Sequence, residues 1–144
     1  MTDRLAEIAD TFQSVPPELR LELLLDHAHA FPPLPERYRE LREKGLGRVH
    51  ECMAEVYFFP EVADTDAGRR VRIHADIAED APTQRALVGI LMDSYTDATP
   101  EEVAAIPTDL LRRLGIAQML GVQRQIGFAG VLARLQHGVA EAAT

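Results

Sequence analysis

Arg48-Val49-His50-Glu51-Cys52-Met53-Ala54-Glu55-Val56-Tyr57-Phe58-Phe59, continued by Asp64-Thr65-Asp66-Ala67-Gly68 and Val71-Arg72-Ile73-His74-Ala75-Asp76, is the stretch whose reading decides the fold. The run from Val56 to Phe59 is β-branched and aromatic, and Val71, Ile73 and Ala75 alternate with polar residues. With the Asp-Thr-Asp-Ala-Gly turn between them, residues 54–76 are predicted to form a hairpin. Alternation also starts at Val49, which predicts strand on both sides of a small irregularity at Cys52. Cys52 is the chain's one cysteine. Between two strands it would lie on a loop tip, where binding and chemical residues concentrate.

Working outward, helical spacing surrounds the hairpin. Leu5, Ile8, Ala9 and Phe12 predict a helix over residues 2–14, capped by Thr2 or Asp3 and stopped at Val15-Pro16-Pro17. A second helix is predicted over residues 18–30, with Leu21, Leu24, Leu25 and Ala28 on one stripe widened by Leu19 and Leu23. Phe31-Pro32-Pro33-Leu34-Pro35 must be extended, because a residue before proline is pushed out of the helical region. The charged segment Glu36 to Lys44 can be helical, with a solvated charged face, before Gly45-Leu46-Gly47 marks the change to sheet.

After the hairpin, a helix starts at Pro82 with Leu87, Ile90, Leu91 and Tyr95 on one face. Thr99-Pro100-Glu101-Glu102 combines a cap, a first-turn proline and a glutamate placed to cap in return. A short helix is predicted over Asp109 to Leu114. The last and longest is predicted from Gly121 to about Ala140, burying Val122, Ile126, Ala129, Leu132, Leu135 and Val139. Strands grouped in the middle of helices indicate an α+β fold.

With 144 residues, the chain has the length of one domain, taken as residues 1–144. Its formal net charge of −8 argues against non-specific binding to nucleic acid or an anionic membrane. No apolar run approaches the roughly 20 residues of a membrane span. Met1-Thr2-Asp3-Arg4 lacks a signal peptide's order, and a lone cysteine fits a reducing compartment, so a cytoplasmic location is expected.

A lone cysteine forms no internal disulfide, yet its thiolate is a nucleophile and a site for persulfide chemistry. The alternative is a small buried apolar residue with no chemistry. If the strand ran through Cys52, His50 would share its face and contact the thiol, or else be an ordinary polar strand residue. His27 and His29 with His50 and Cys52 are a weak zinc pattern, and no metal site is expected. Glu51 beside the thiol would disfavour the thiolate.

Five blocks in order give a resemblance to a known family: Pro32-Pro33-Leu34-Pro35, Val49-x-x-Cys52-x-x-x-Val56-Tyr57, Asp80-Ala81-Pro82-Thr83-Gln84-Arg85-Ala86-Leu87, Thr99-Pro100-Glu101-Glu102-Val103 with Leu114-Gly115-Ile116, and Arg124-Gln125-Ile126-Gly127. Together they resemble the SufE sulfur acceptors of iron–sulfur cluster assembly over residues 16–137. The resemblance implies a small antiparallel sheet with helices packed against it, shared with the IscU-related scaffolds. It implies that Cys52 accepts persulfide sulfur from a cysteine desulfurase and passes it to an iron–sulfur cluster scaffold. The chain would then be an accessory to the desulfurase rather than a stand-alone enzyme. It would need no cofactor of its own, since pyridoxal phosphate belongs to the partner.

Arg85 and Arg124 match arginines in two of the family's helix motifs. Each would stabilise a persulfide anion, pair with Glu51, or only tie helix to loop. The sequence departs from the family at Glu51-Cys52-Met53-Ala54, where Gly-Cys-Gln-Ser is common, at Ala86 for glycine and at Tyr57 for tryptophan. Two other readings stay open: a cluster-binding scaffold, which needs several thiolates, and an adaptor of the same fold with an inert cysteine.

Overall fold

A computed structural model describes residues 1–28 and 31–144. Strand β1 (Val56–Thr65) pairs antiparallel with β2 (Gly68–Ile77), in a register that runs from Val56 opposite Ile77 to Thr65 opposite Gly68. Only Asp66 and Ala67 lie between the strands, and Gly68 takes φ +106°, a region open to glycine. The period of two sorts the side chains. Val56, Phe58, Ile73, Ala75 and Ile77 are buried on one face, while Tyr57, Glu61, Arg72, His74 and Asp76 share the other with Phe59.

The helices are α1 (Asp3–Ser14), α2 (Arg20–Leu25), α3 (Glu36–Glu43), α4 (Pro82–Tyr95), α5 (Pro100–Ala104), α6 (Leu110–Arg113) and α7 (Ala117–Ala142). Helices α4 and α7 pack on the sheet, and one cluster of buried apolar side chains runs from Leu5 to Val139. The turn after α4 joins the sheet's edge: Val71 N donates to Ala98 O at 2.8 Å and Asp97 N to Val71 O at 2.9 Å. The expected caps are present. Thr2 accepts from Leu5 N, and Thr99 and Glu102 form a reciprocal capping box. The fold is α+β, a small antiparallel sheet with helices packed against it.

The face of the hairpin away from the core is covered by α3. Tyr38 stacks on Phe59 at 4.7 Å, and Arg42 bonds Asp76 at 2.5 Å while lying over Tyr57. Glu61 collects Tyr38 Oη, Arg37 at 2.8 Å and His74 at 3.1 Å. Burial alone would raise the Glu61 carboxyl, but these three hydrogen bonds outweigh it and hold the pKa at about 2. The charged segment is therefore a clamp on the hairpin rather than only a solvated face.

Three expectations need correction. The second helix is a 3₁₀ turn (Pro17–Leu19) followed by the six residues of α2, with Leu24 buried but Leu19, Leu21 and Leu25 exposed. Tighter bonds from His27 N to Leu24 O and Ala28 N to Leu25 O end it, and His27 O then sits 2.4 Å from where a Cβ on Gly89 would be. The end of that predicted helix, residues 29–30, lies outside the described residues. The strand predicted before Cys52 is reduced to a single bridge between Arg48 and Tyr57. Finally, α7 buries Gly127, Phe128, Gly130 and Val131 together with Leu132, Leu135 and Val139, leaving Val122, Ile126 and Ala129 exposed. Gly121 interrupts α7 with φ +75°, and beyond it Gly127 and Gly130 turn inward against Cys52 and Glu51. Among the described residues no helix is long and apolar enough to cross a membrane.

Candidate functional site

The cysteine loop begins where the strand bridge ends. Phe58 N donates to Gly47 O and Val49 N to Val56 O, each at 2.9 Å, which closes residues 49–56 into a loop. Gly47 is required there: it has φ +81°, and a Cβ would lie 2.3 Å from the Phe59 ring. Val49 and Val56 are fully buried and anchor both ends. Inside the loop Cys52 N donates to Val49 O at 3.2 Å, bending the chain back where a strand would have continued.

The rest of the loop's support comes from α7. A Cβ on Gly127 would meet Cys52 Sγ at 3.0 Å, and one on Gly130 would meet the Glu51 carboxyl at 2.7 Å and its Cβ at 2.8 Å. Two glycines one helical turn apart thus let the loop backbone lie against the helix. Arg134, a further turn along, donates to Arg48 O at 2.8 Å and fixes the neck. These contacts turn the Cys52 side chain inward, and the residue is only 6% exposed.

Cys52 opens on a cavity of about 700 Å³. Asp80, Thr83 and Gln84 reach it from the start of α4, and Gln123 and Arg124 from α7. Leu87, Leu120 and Phe128 supply apolar wall. Burial pushes the thiol's pKa up and the Glu51 charge adds to that, while Arg48 opposes both. The resting thiol is neutral and sheltered, beside a space large enough for another reacting group.

The site residues expected from the sequence separate here. Cys52 and Glu51 lie on the loop, and Arg124 lines the cavity. Arg85 instead donates to Ile77 O at 2.8 Å and lies over the Phe31 ring, joining α4 to the end of β2. His50 is exposed on the turn, and among the described residues it makes no hydrogen bond to the thiol. The shared face with Cys52 required a strand that the loop does not form. Met53, next to Cys52 in the sequence, is 81% exposed and does not cover the thiol.

His27 stacks on Phe12 and faces Asp93, and His29 lies outside the described residues. Among the described residues no three His, Cys, Asp or Glu side chains group as for a metal ion. Asp80, Gln84, Gln123, Arg48 and the two glycines were not singled out as site residues. The blocks beginning at Asp80 and Arg124 were the available signal, since they border the cavity from both helices.

The family described as SufE, Fe–S metabolism associated domain, matches residues 6–139. An uncharacterized SufE-like protein of Mycobacterium tuberculosis is 30% identical over 138 residues, covering 96% of this chain and 92% of that protein. A cysteine desulfuration protein SufE of Plasmodium falciparum is 20% identical, and the match covers 94% of this chain and 53% of that longer protein. The solution structure of a hypothetical protein from Thermus thermophilus has a matching fold, with TM-score 0.76 at 31% identity over 99% of this chain and 98% of that one. With the cysteine loop, its helical support and a family match over nearly the whole length, the chain belongs to the SufE family of proteins associated with iron–sulfur metabolism.

Proposed function

We propose that Cys52 accepts sulfur from the persulfide of a pyridoxal-phosphate-dependent cysteine desulfurase and passes it to an iron–sulfur cluster scaffold. The observation that carries this reading is the placement of the chain's one thiol, buried yet opening on a cavity of about 700 Å³. An inert core cysteine has no need of that space. Similarity to cysteine desulfuration proteins supports the choice of partner.

In the transfer, the Cys52 thiol first gives up its proton. The thiolate attacks the outer sulfur of the partner's R–S–SH, forming a new S–S bond. The old S–S bond breaks, its electron pair leaves on the partner's sulfur, and that thiolate takes up a proton. The products are R–SH and Cys52–S–SH, with no net oxidation or reduction. The raised pKa of Cys52 means that the free chain holds little thiolate, so docking must lower that cost. The chain acts in a reducing compartment, the cytoplasm, as an accessory of the desulfurase and with no cofactor of its own. A cluster scaffold is disfavoured because such a site needs several thiolates and this chain has one cysteine.

The test is intact mass after incubation with a desulfurase and cysteine. The wild-type chain should gain one sulfur atom, and Cys52→Ser should gain none while melting at an unchanged temperature. Equal gain by the serine variant, or none by the wild type, would overturn the reading.

A further inference from the structure

Where the start of α4 borders the Cys52 cavity, the fold leaves polar groups unused. Pro82 opens this 14-residue helix, and no side chain caps it. Arg85 N, which donates to Ala81 O at 3.0 Å, is the first amide of α4 with an acceptor. The amides of Thr83 and Gln84 have none among the described residues. Thr83 is only 7% exposed and lines the cavity with Leu87, one turn along the same face. Its hydroxyl makes no hydrogen bond among the described residues. A buried hydroxyl beside an uncapped helix N-terminus is a donor set for an anion, and buried polar groups without partners are uncommon. Among the lining residues Asp80 is the one acid, just ahead of the helix, and Arg124 on α7 the one base. Neither makes an ion pair among the described residues.

We propose that this end of the cavity binds the head group of a small α-amino-acid persulfide, so that Cys52 takes sulfur from a free small molecule as well as from a protein. The inference deepens the sulfur-carrier reading and rests on it. A carboxylate set on the Thr83 hydroxyl and the Thr83 and Gln84 amides turns the adjacent ammonium toward Asp80. The match follows because an α-amino acid carries both charges on one carbon, and the cavity offers both partners within residues 80–84. The sulfur-bearing side chain then crosses the cavity toward the cysteine loop. The space of about 700 Å³ lies within the usual range for small-molecule sites. With Cys52 only 6% exposed, a small donor inside the cavity can reach the thiol while the loop rests in place. The Cys52 thiolate attacks the donor's outer sulfur, the donor's S–S bond breaks, and the amino-acid thiolate leaves and takes up a proton. The step involves no net oxidation or reduction.

The experiment uses the full chain and S-methyl-L-cysteine, which keeps both head charges but has no sulfur to give. This probe should slow the alkylation of Cys52 by iodoacetamide in a saturable way, and S-methylcysteamine, which lacks the carboxylate, should not. Thr83→Val should need about tenfold more probe for equal protection, whereas Thr83→Ser should retain it. Folding is checked by circular dichroism, and if Thr83→Val fails to fold, the two probes still decide the question on the wild type. No protection of the wild type, equal protection by S-methylcysteamine, or undiminished protection in folded Thr83→Val would each overturn the proposal. By intact mass, the wild type should gain sulfur faster from cysteine persulfide than from cysteamine persulfide, and equal rates would also reject the site. Uptake from the desulfurase is scored separately. Uptake there without protection here rejects only the small-molecule site, and protection here without uptake there rejects only the protein donor.

Discussion

The two ends of the hairpin are both closed by short stretches of chain, but they hold their shapes by different means. At one end, residues 65–68 are self-sufficient. Ala67 N donates to Thr65 Oγ1, Thr65 Oγ1 donates to Gly68 O at 2.7 Å, and Gly68 supplies the positive φ. At the other end, the loop carrying Cys52 makes few bonds of its own. It is shaped by Gly127, Gly130 and Arg134 on a helix far away in sequence. A turn that supports itself leaves its side chains in solvent. A loop supported from outside can turn a reactive group inward, and it can also be released when that support is lost.

The strongest way to break the comparison is Gly130→Ala. In a helix this change normally gains about 1 kcal/mol. Here the added carbon falls 2.8 Å from Glu51 Cβ, so a net loss of about 1–3 kcal/mol is expected in urea unfolding. Cys52 alkylation should speed up with it. A stabilised variant with unchanged alkylation would show that the loop does not depend on this contact.

A control comes from the middle of the hairpin, where the Glu61 cluster serves both ends alike. Its folded pKa of about 2 lies below the ordinary 4.5. The stability it contributes is therefore present above pH 4.5 and is lost as pH falls toward 2. Allowing for solvent screening, the loss is up to about 2 kcal/mol. Glu61→Gln should flatten this acid limb in unfolding curves taken between pH 6 and about pH 2.5, and an unaltered limb would place it elsewhere.

Gly68→Ala tests the self-sufficient end. The position has room, with Arg70 Nη1 at 3.6 Å as its nearest neighbour, so the cost is conformational, about 1–2 kcal/mol. Alkylation of Cys52 should not change. If it did, the two ends would be coupled and the comparison would fail.

The smallest expected effect is that of Arg134→Met, which removes one donor to Arg48 O for about 1 kcal/mol or less. Amide exchange should rise in residues 49–55 and remain unchanged at 65–68. Equal change at both places would indicate general loosening rather than release of the loop.

By itself the sequence determined the features whose physics is local. Alternation and turn chemistry placed the hairpin, Thr99-Pro100-Glu101-Glu102 specified its capping box, and the lone Cys52 with its ordered flanking blocks indicated the family. Only the tertiary structure decided the features set by distant partners. Alternation through Val49 and Cys52 looked like a strand, but a strand needs a neighbour to bond along its length. Closure of Val49 on Val56 and the space left by Gly127 and Gly130 made it a loop instead. The buried face of α7 was misread for the same reason. Glycines do not register in an apolar stripe, yet Gly127 and Gly130 face inward because the cysteine loop occupies the volume their side chains would have filled. Cys52 announces itself in the sequence, but its burial and its raised pKa follow from what is packed around it.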